Sequence, residues 1–340
     1  MEFGSDFHYI SGFINPQNSI QKIYPNAEYF ANGRHCILAI IKKFKYQRIW
    51  IPEYFCSEVI DSIRRMSDIE IQFYNDNPLV RFSNKDLAKI KFRKGDVLFR
   101  VIYFGIEKDS ITASVPVIED HSHSLFTNKA INSNADWCIA SLRKTLPIAE
   151  GGILWSPKGL RLDESIIENN VNIDLALQRW NAMKIKKDYL EDCDVAKKDI
   201  FRKIFISTEE KFNDLPICRI DNDTLNFISK FDAINWYKQK LENIQYLNSI
   251  VDTTIKQITN INNRFSFLLL CKNKEQRELL RQLLIQNNIY PAILWELPNS
   301  TSDYNKNISS RILSIHCDAR YNHSDIEILG ENLNHIISAL

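Results

Sequence analysis

The chain has 340 residues, 44% of them hydrophobic and 25% charged, the make-up of a globular protein with room for a sizeable core or two lobes rather than of a disordered or fibrous chain. Lys and Arg number 43 against 42 Asp and Glu, and a net charge of +1 supplies no electrostatic pull toward nucleic acid or an anionic membrane as the main partner. The seven cysteines (Cys36, Cys56, Cys138, Cys193, Cys218, Cys271 and Cys317) are odd in number and contain no C-x-x-C pair. Together with a first stretch that is not signal-like and apolar runs too short for a bilayer, they lead us to expect reduced thiols and a cytoplasmic location.

In chain order, the first clear element is a helix in "HCILAIIKKF" (35–44), with apolar residues at helical spacing directly after Asn32, Gly33 and Arg34. "RIWIP" (48–52) reads as a short buried strand, "SEVIDSIRRM" (57–66) as a helix and "IEIQFY" (69–74) as an alternating strand. "VLFRVIYFG" (97–105) is a nearly continuous apolar run, and "SVPVIEDHS" (114–122) and "WCIASL" (137–142) read as two more buried strands. Such runs, separated by short helices, predict an α/β fold with a largely parallel sheet covered on both faces. From about 163 to 211 the sequence turns helical and heavily charged, the pattern of a solvated helix face. Residues 224–251 predict one long amphipathic helix, with Leu225, Ile228, Phe231, Ile234 and Trp236 among its apolar positions. After it come "RFSFLLLC", the helix "EQRELLRQLLIQNN", "PAILWELP", "RILSIHCD" and a last helix from Ser324. With no repeat and no Gly/Ser linker, the expected division is a large domain over 1–235 and a smaller C-terminal α+β domain over 236–340.

Three stretches fall at strand ends or at a helix start, where open α/β sheets build binding sites. In "ANGRHCILAI" the glycine before an apolar helix frees the amides of Gly33, Arg34 and His35 to face an anion, while Asn32 also serves as an ordinary N-cap. In "SVPVIEDHSHSLF" the carboxylates of Glu119 and Asp120 and the imidazoles of His121 and His123 emerge where a buried strand ends. Groups so costly to bury without partners point to a polar cavity. In "CIASLRKTLPIAEGG" Lys144 stands in apolar surroundings, where a lysine either snorkels out or, with its ammonium neutralised, attacks a carbonyl.

The three stretches together fit one cofactor. Pyridoxal 5'-phosphate needs a lysine for its aldehyde, a carboxylate for its pyridine nitrogen, amides and hydroxyls for its phosphate and an aromatic face for its ring. A divalent metal held by Asp120, His121 and His123 is the alternative, as a metal-dependent hydrolase, although no second ligand cluster stands elsewhere in the sequence to complete it.

The order of these motifs resembles that of the fold type I pyridoxal phosphate enzymes, and most closely the DegT/DnrJ/EryC1 family of sugar aminotransferases. "NGRHCILAI" is similar to that family's Ser-Gly-Thr or Ser-Gly-Arg helix start, "IPEYFCSEVIDSI" to its P-x-Y-T segment, "VIEDHSH" to its Glu-Asp-x-x-Gln/His signature and "SLRKTLPIAEGG" to the lysine followed by Glu-Gly-Gly. "PAILWELP" and "RILSIHCDARYN" resemble its small-domain segments. The resemblance implies a large domain with a mostly parallel sheet and a smaller C-terminal domain. It implies that Lys144 bonds the cofactor aldehyde and shuttles the proton, that Asp120 binds the pyridine nitrogen and that His123 contacts the phenolic oxygen. Asn32, Gly33, Arg34 and Ser141 would hold the phosphate, and Tyr54 or Phe55 would stack on the ring, with Cys56 at that position in a strict alignment on Pro52. Ser141 lies three positions before Lys144, where the family usually spaces five, which marks a divergent branch. The implied activity is transfer of an amino group, from glutamate, to a nucleotide-linked keto sugar in surface polysaccharide or related biosynthesis. The implied assembly is a homodimer, with no nucleic acid or membrane partner; a non-catalytic descendant of the fold is the remaining alternative.

Overall fold

The computed structural model describes residues 1–162, 167, 168 and 171–340. Seven strands form the main sheet: β1 (Glu28–Phe30), β2 (Arg48–Pro52), β3 (Glu70–Tyr74), β4 (Asp96–Val101), β5 (Val117–Asp120), β6 (Trp137–Ser141) and β7 (Gly152–Trp155). Their order is β1-β7-β6-β5-β4-β2-β3; β7 runs antiparallel to both of its neighbours and every other pair is parallel. β4 is buried at all its positions, as expected of a parallel strand covered twice. Alternate residues of that strand feed different cores: Leu98 packs with Cys138, Ala140 and Ile153, whereas Val97 and Phe99 pack with Ile49, Ile118 and Leu154.

Helix α1 (Gly33–Phe44) packs on β6 and β7 and buries every residue from Arg34 to Ile41. Asn32 caps it, its Oδ1 accepting from the His35 amide at 3.0 Å. Helix α2 (Ser57–Met66) follows β2. The apolar run after β4 is not all strand. β4 stops at Val101, and Tyr103–Gly105 form a turn in which Phe104 has φ 53° and Gly105 φ 68°.

The charged stretch becomes two helices, α3 (Ile173–Asp192) and α4 (Val195–Phe212), joined at Cys193 with φ 59° and packed against each other. Residues 163–166, 169 and 170 of the expected helical stretch lie outside the described residues. Only one side of this pair is solvated. Trp180, Met183, Phe201, Phe205 and Phe212 are buried, and so are Arg179 and Lys186.

The single long helix expected over 224–251 is two helices, α5 (Asn222–Lys230) and α6 (Ala233–Ile250). Phe231 is extended and buried against Phe13, Phe227 and Trp236, and Asp232 caps α6 by accepting from the Asn235 amide at 3.1 Å. The N-terminal segment takes up the backbone groups at the break, through Asn15 N–H to Lys230 O and Asp232 N–H to Phe13 O. An aspartate that can serve as a cap competes with helix continuation.

A second sheet carries the C-terminal unit, with β9 (Phe267–Leu270) antiparallel to both β8 (Thr259–Asn260) and β10 (Ile312–Ile315). Helices α7 (Lys274–Gln286), α8 (Asp303–Arg311) and α9 (His323–Ser338) complete it. Its core, including Leu247, Phe267, Leu313 and Leu333, also takes in Phe3, because Phe3–Gly4 pairs in parallel with Ile289–Tyr290. Helix α6 spans the two units. Trp236 lies in the core of the main sheet and donates to Thr145 O at 2.8 Å, and Leu247, three turns later, lies in the C-terminal core. Among the described residues no helix is long and apolar enough to cross a membrane.

Candidate active site

The carboxyl ends of β4, β5 and β6 and the amino end of α1 meet around a cavity of about 530 Å³. Strand register sets Val101, Asp120 and Ile139 side by side at its floor. Asn32, Gly33, Arg34, Phe55, Asp120, His123, Ser141 and Lys144 line it, eight of the nine residues that the resemblance assigns to the cofactor. Tyr54 does not. It is fully buried behind the wall, its hydroxyl donating to Leu294 O at 2.8 Å, while Phe55 and Cys56 face the space.

Close backbone passage explains the glycines. A Cβ on Gly33 would stand 3.3 Å from Ser141 Cβ, and one on Gly152 only 2.3 Å from Asn32 O. The Gly-Gly pair after Lys144 therefore presses β7 against the first turn of α1, and Gly151, at φ 144°, allows the bend. Ser122 Oγ accepts from the Ser141 amide at 2.8 Å and ties the end of β6 to the loop after β5.

Asp120 ends β5, 8% exposed, and its Oδ1 accepts from the Ser122 amide at 2.8 Å. Burial raises its pKa, an effect opposed by the hydrogen bonds from Ser122 and by the charge of Lys144. His123 accepts from the Phe104 amide at Nδ1 (3.3 Å), which leaves the proton on Nε2, and that buried atom has no hydrogen-bond partner among the described residues. Burial, with help from Lys144 and Lys240, holds the imidazole neutral by pushing its pKa well below the usual value. The ring lies nearly parallel to those of Phe104 and Trp295, at 5.2 and 5.6 Å.

Four side chains absent from the sequence reading belong to the site. Trp295, from the C-terminal unit, lines the cavity, packs edgewise on Phe55 at 5.8 Å and has the Lys144 ammonium 5.2 Å from its centroid. Arg143 holds Glu209 of α4 with two hydrogen bonds, at 2.7 and 3.0 Å; Arg179 of α3 adds a third at 3.1 Å, and Arg34 stands 3.7 Å away. These contacts drop the Glu209 carboxylate far below its usual range against the cost of burial. Arg143 had a signal, as the neighbour of Lys144, and Trp295 lay in a quoted aromatic segment. Arg179 and Glu209 had none, since a charged helix looks the same whether one of its faces meets solvent or a cavity.

The metal alternative does not assemble. Alternation along β5 puts Asp120 on the cavity side and turns Glu119 and His121 away from it. Among the described residues the one metal-compatible group is Glu119, His121 and Cys138, not Asp120, His121 and His123. There the Glu119 carboxylate already receives Arg100 at 2.6 Å, Ser133 at 2.6 Å and His121 at 3.2 Å, and a guanidinium at that distance repels a cation.

No protein-family model and no curated protein matches this sequence. Solved structures do match it. The Helicobacter pylori aminotransferase PseC, involved in the biosynthesis of pseudoaminic acid, is 11% identical with a TM-score of 0.63, covering 100% of both chains. Bacillus subtilis NtdA, solved with bound cofactor PMP, is 9% identical with a TM-score of 0.60 over 92% of this chain and 73% of its own. A DegT DnrJ EryC1 StrS aminotransferase from Brucella abortus is 11% identical with a TM-score of 0.56 over 95% and 91%. The chain thus has the fold of fold type I pyridoxal phosphate aminotransferases along its whole length.

Proposed function

We propose that the protein is a pyridoxal phosphate-dependent aminotransferase that moves an amino group to a nucleotide-linked keto sugar, in surface polysaccharide or related biosynthesis. The observation that carries the reading is the convergence of Lys144, Asp120, His123 and the Gly33 helix start on one cavity of this fold. The amino-sugar role of PseC, which shares the fold, supports the acceptor class.

The cavity fits the cofactor in three respects: an unpartnered His123 Nε2–H, a buried Asp120 carboxylate in need of a cation, and a backbone cradle at Gly33 that a Cβ would crowd. When bound, pyridoxal phosphate supplies an aldehyde for amines and a cationic ring that withdraws electrons from the reacting carbon. Asp120 would keep the ring nitrogen protonated by pairing with it. His123, neutral, would donate from Nε2 to the phenolic oxygen. Lys144, the only lysine lining the cavity among the described residues, would hold the aldehyde carbon and carry the proton between neighbouring carbons from its Nζ. The amides of Gly33 and Arg34, with the Arg34 guanidinium and the Ser141 hydroxyl, would take the phosphate, with Asn32 fixing the helix start. Phe55 and Trp295 would shut water from the ring.

We also propose glutamate as the amino donor and a homodimer as the working assembly. Exposed apolar side chains at Ile14, Val171, Ile173 and Leu177 support the latter, and light scattering tests it. The decisive experiment adds pyridoxal phosphate to the purified protein. A visible absorbance band that borohydride fixes onto Lys144, located by peptide mass mapping, is the expected result; a colourless protein would refute the reading. A panel of nucleotide-linked amino sugars, scored by bleaching of that band, then identifies the acceptor.

A further inference from the structure

The end of α4 binds three arginines at the wall of the cavity. Glu209 lines that cavity together with Gly33, Arg34, Ser141 and Arg143. Its carboxylate accepts from Arg143 at 2.7 and 3.0 Å and from Arg179 at 3.1 Å, and Arg34 Nη2 stands 3.7 Å away. Arg34 is held on its other terminal nitrogen as well, Nη1 donating to Oδ1 of Asn213, one helical turn beyond Glu209. Arg179 is fixed from behind, by Nε to Ala149 O at 2.8 Å and by Nη1 to Thr208 Oγ1 at 3.2 Å. The guanidiniums are set in place, and the part-exposed member of the cluster is the carboxylate.

Arg34 is one of the residues proposed to take a phosphate, yet its donors already face α4. Glu209 stays ionised across the physiological range, its carboxyl lying far below the usual value, so no change of pH frees the guanidiniums. Only another anion can. A carboxylate ligand offers the arginines the two oxygens and single charge that Glu209 already gives, and Glu209 is tethered, at an effective concentration on the order of millimolar. A phosphate dianion offers three acceptor oxygens and up to twice the charge. Three guanidiniums against one carboxylate leave a surplus of two positive charges, which a dianion neutralises and a monoanion does not.

We propose that Glu209 is a specificity-determining residue, a built-in carboxylate that a ligand's phosphate group displaces from Arg34 and Arg143 and that a monocarboxylate does not. That the phosphate is the cofactor's rests on the aminotransferase reading; the selection itself does not. Amino acids carry carboxylates, and three bare arginines beside the start of α1 would hold them. With Glu209 in place, the phosphate seat is closed to the carboxylates of the substrates that an aminotransferase handles. The same contact offsets the cost of burying Arg34 and Arg179, which are 7% and 5% exposed, before any ligand arrives.

The test is calorimetric titration of the full-length protein, without pyridoxal phosphate, at about pH 8, where inorganic phosphate is mostly a dianion. Inorganic phosphate and acetate are the probes. We expect phosphate to bind the unaltered protein, and acetate in about hundredfold excess not to displace it. Glu209→Gln should bind phosphate about tenfold tighter or more, and should also bind acetate, because the competing charged hydrogen bonds are gone. Glu209→Asp keeps the charge with a shorter reach, so it preserves the test if the Gln variant, its guanidiniums unpaired, fails to fold; it should tighten phosphate by a smaller factor. Circular dichroism checks both. Phosphate binding that is unchanged or weaker in the folded variants, or acetate that displaces phosphate from the unaltered protein, overturns the proposal. So does absence of phosphate binding to all three proteins. Tighter phosphate binding in Glu209→Gln, where the unaltered protein forms no visible band with pyridoxal phosphate, would uphold the role of Glu209 and defeat the cofactor reading, which separates the two failures.

Discussion

The ammonium of Lys144 lies 5.2 Å from the centroid of the Trp295 ring, so that a side chain of the C-terminal unit rests against the lysine of the main-sheet cavity. An amine over an indole face is held by the ring quadrupole, an attraction of about 0.5–2 kcal/mol depending on desolvation. Trp295 also lies nearly parallel to His123 and edge-on to Phe55. One ring therefore touches three of the residues that would surround the cofactor.

Trp295→Ala should weaken pyridoxal phosphate binding by about tenfold through lost packing and water exclusion. It should also remove most of the tryptophan fluorescence quenching that the cofactor causes in the unaltered protein. Quenching of the same depth in the variant would show that Trp295 does not face the bound ring.

Asp120→Asn keeps the oxygen that accepts from the Ser122 amide and removes a carboxylate that burial disfavours. The variant should fold with an unchanged or slightly raised Tm. Amino transfer should fall by about 10²–10³, the usual loss when a preorganised charge is removed from a site. A variant within tenfold of the original rate would exclude a charge-stabilising role.

Gly152→Ala places a Cβ 2.3 Å from Asn32 O and 2.7 Å from Gly33 N, both main-chain atoms that cannot step aside. We expect a loss of about 3 kcal/mol or more in stability, measured by urea unfolding, as β7 and the start of α1 are forced apart. Cofactor binding should fail along with it.

His35 is 1% exposed, and burial lowers its pKa to about 4. Above pH 6.5 the ring is neutral in both the folded and the unfolded chain. Below that, only the unfolded chain takes up the proton, so stability declines as the pH falls from 6.5 toward 4, by about 3 kcal/mol from this group. His35→Gln should flatten the dependence of Tm on pH across that window.

Glu150, directly before the Gly-Gly pair, has the opposite sign. Burial raises its pKa to about 8, and its Oε1 accepts from Asn172 and from the Asp221 amide, both at 2.6 Å. The protonated folded form contributes stability fully below pH 4.5, and this is lost as the pH rises through 8. Glu150→Gln, neutral at every pH, should therefore raise Tm at pH 8.5, by up to about 4 kcal/mol in stability, and change little at pH 5.

Much of the site was legible because its parts are local. Gly33 before an apolar helix, Asp120 at the end of an apolar strand and Lys144 after another such strand are each announced by a few neighbouring residues. The period of two along β5 was equally readable, and it already set Asp120 against Glu119 and His121, which undoes the metal grouping. The break between α5 and α6 went unread because Asp232 lies within an unbroken helical pattern of apolar residues, and its capping role shows only when the N-terminal segment packs across it.

By itself the sequence determined the alternation of strands and helices, the glycine ahead of the first apolar helix and the strand-end positions of Asp120 and Lys144. Hydrophobic period and backbone freedom are properties of a few consecutive residues. Only the tertiary structure decided that Phe55 and not Tyr54 faces the cavity, that Trp295 comes to Lys144 from the other unit, and that Arg179 and Glu209 of a charged helix pair reach Arg143. Those meetings depend on which distant surfaces pack together, and a buried arginine on a helix carries the same local pattern as an exposed one.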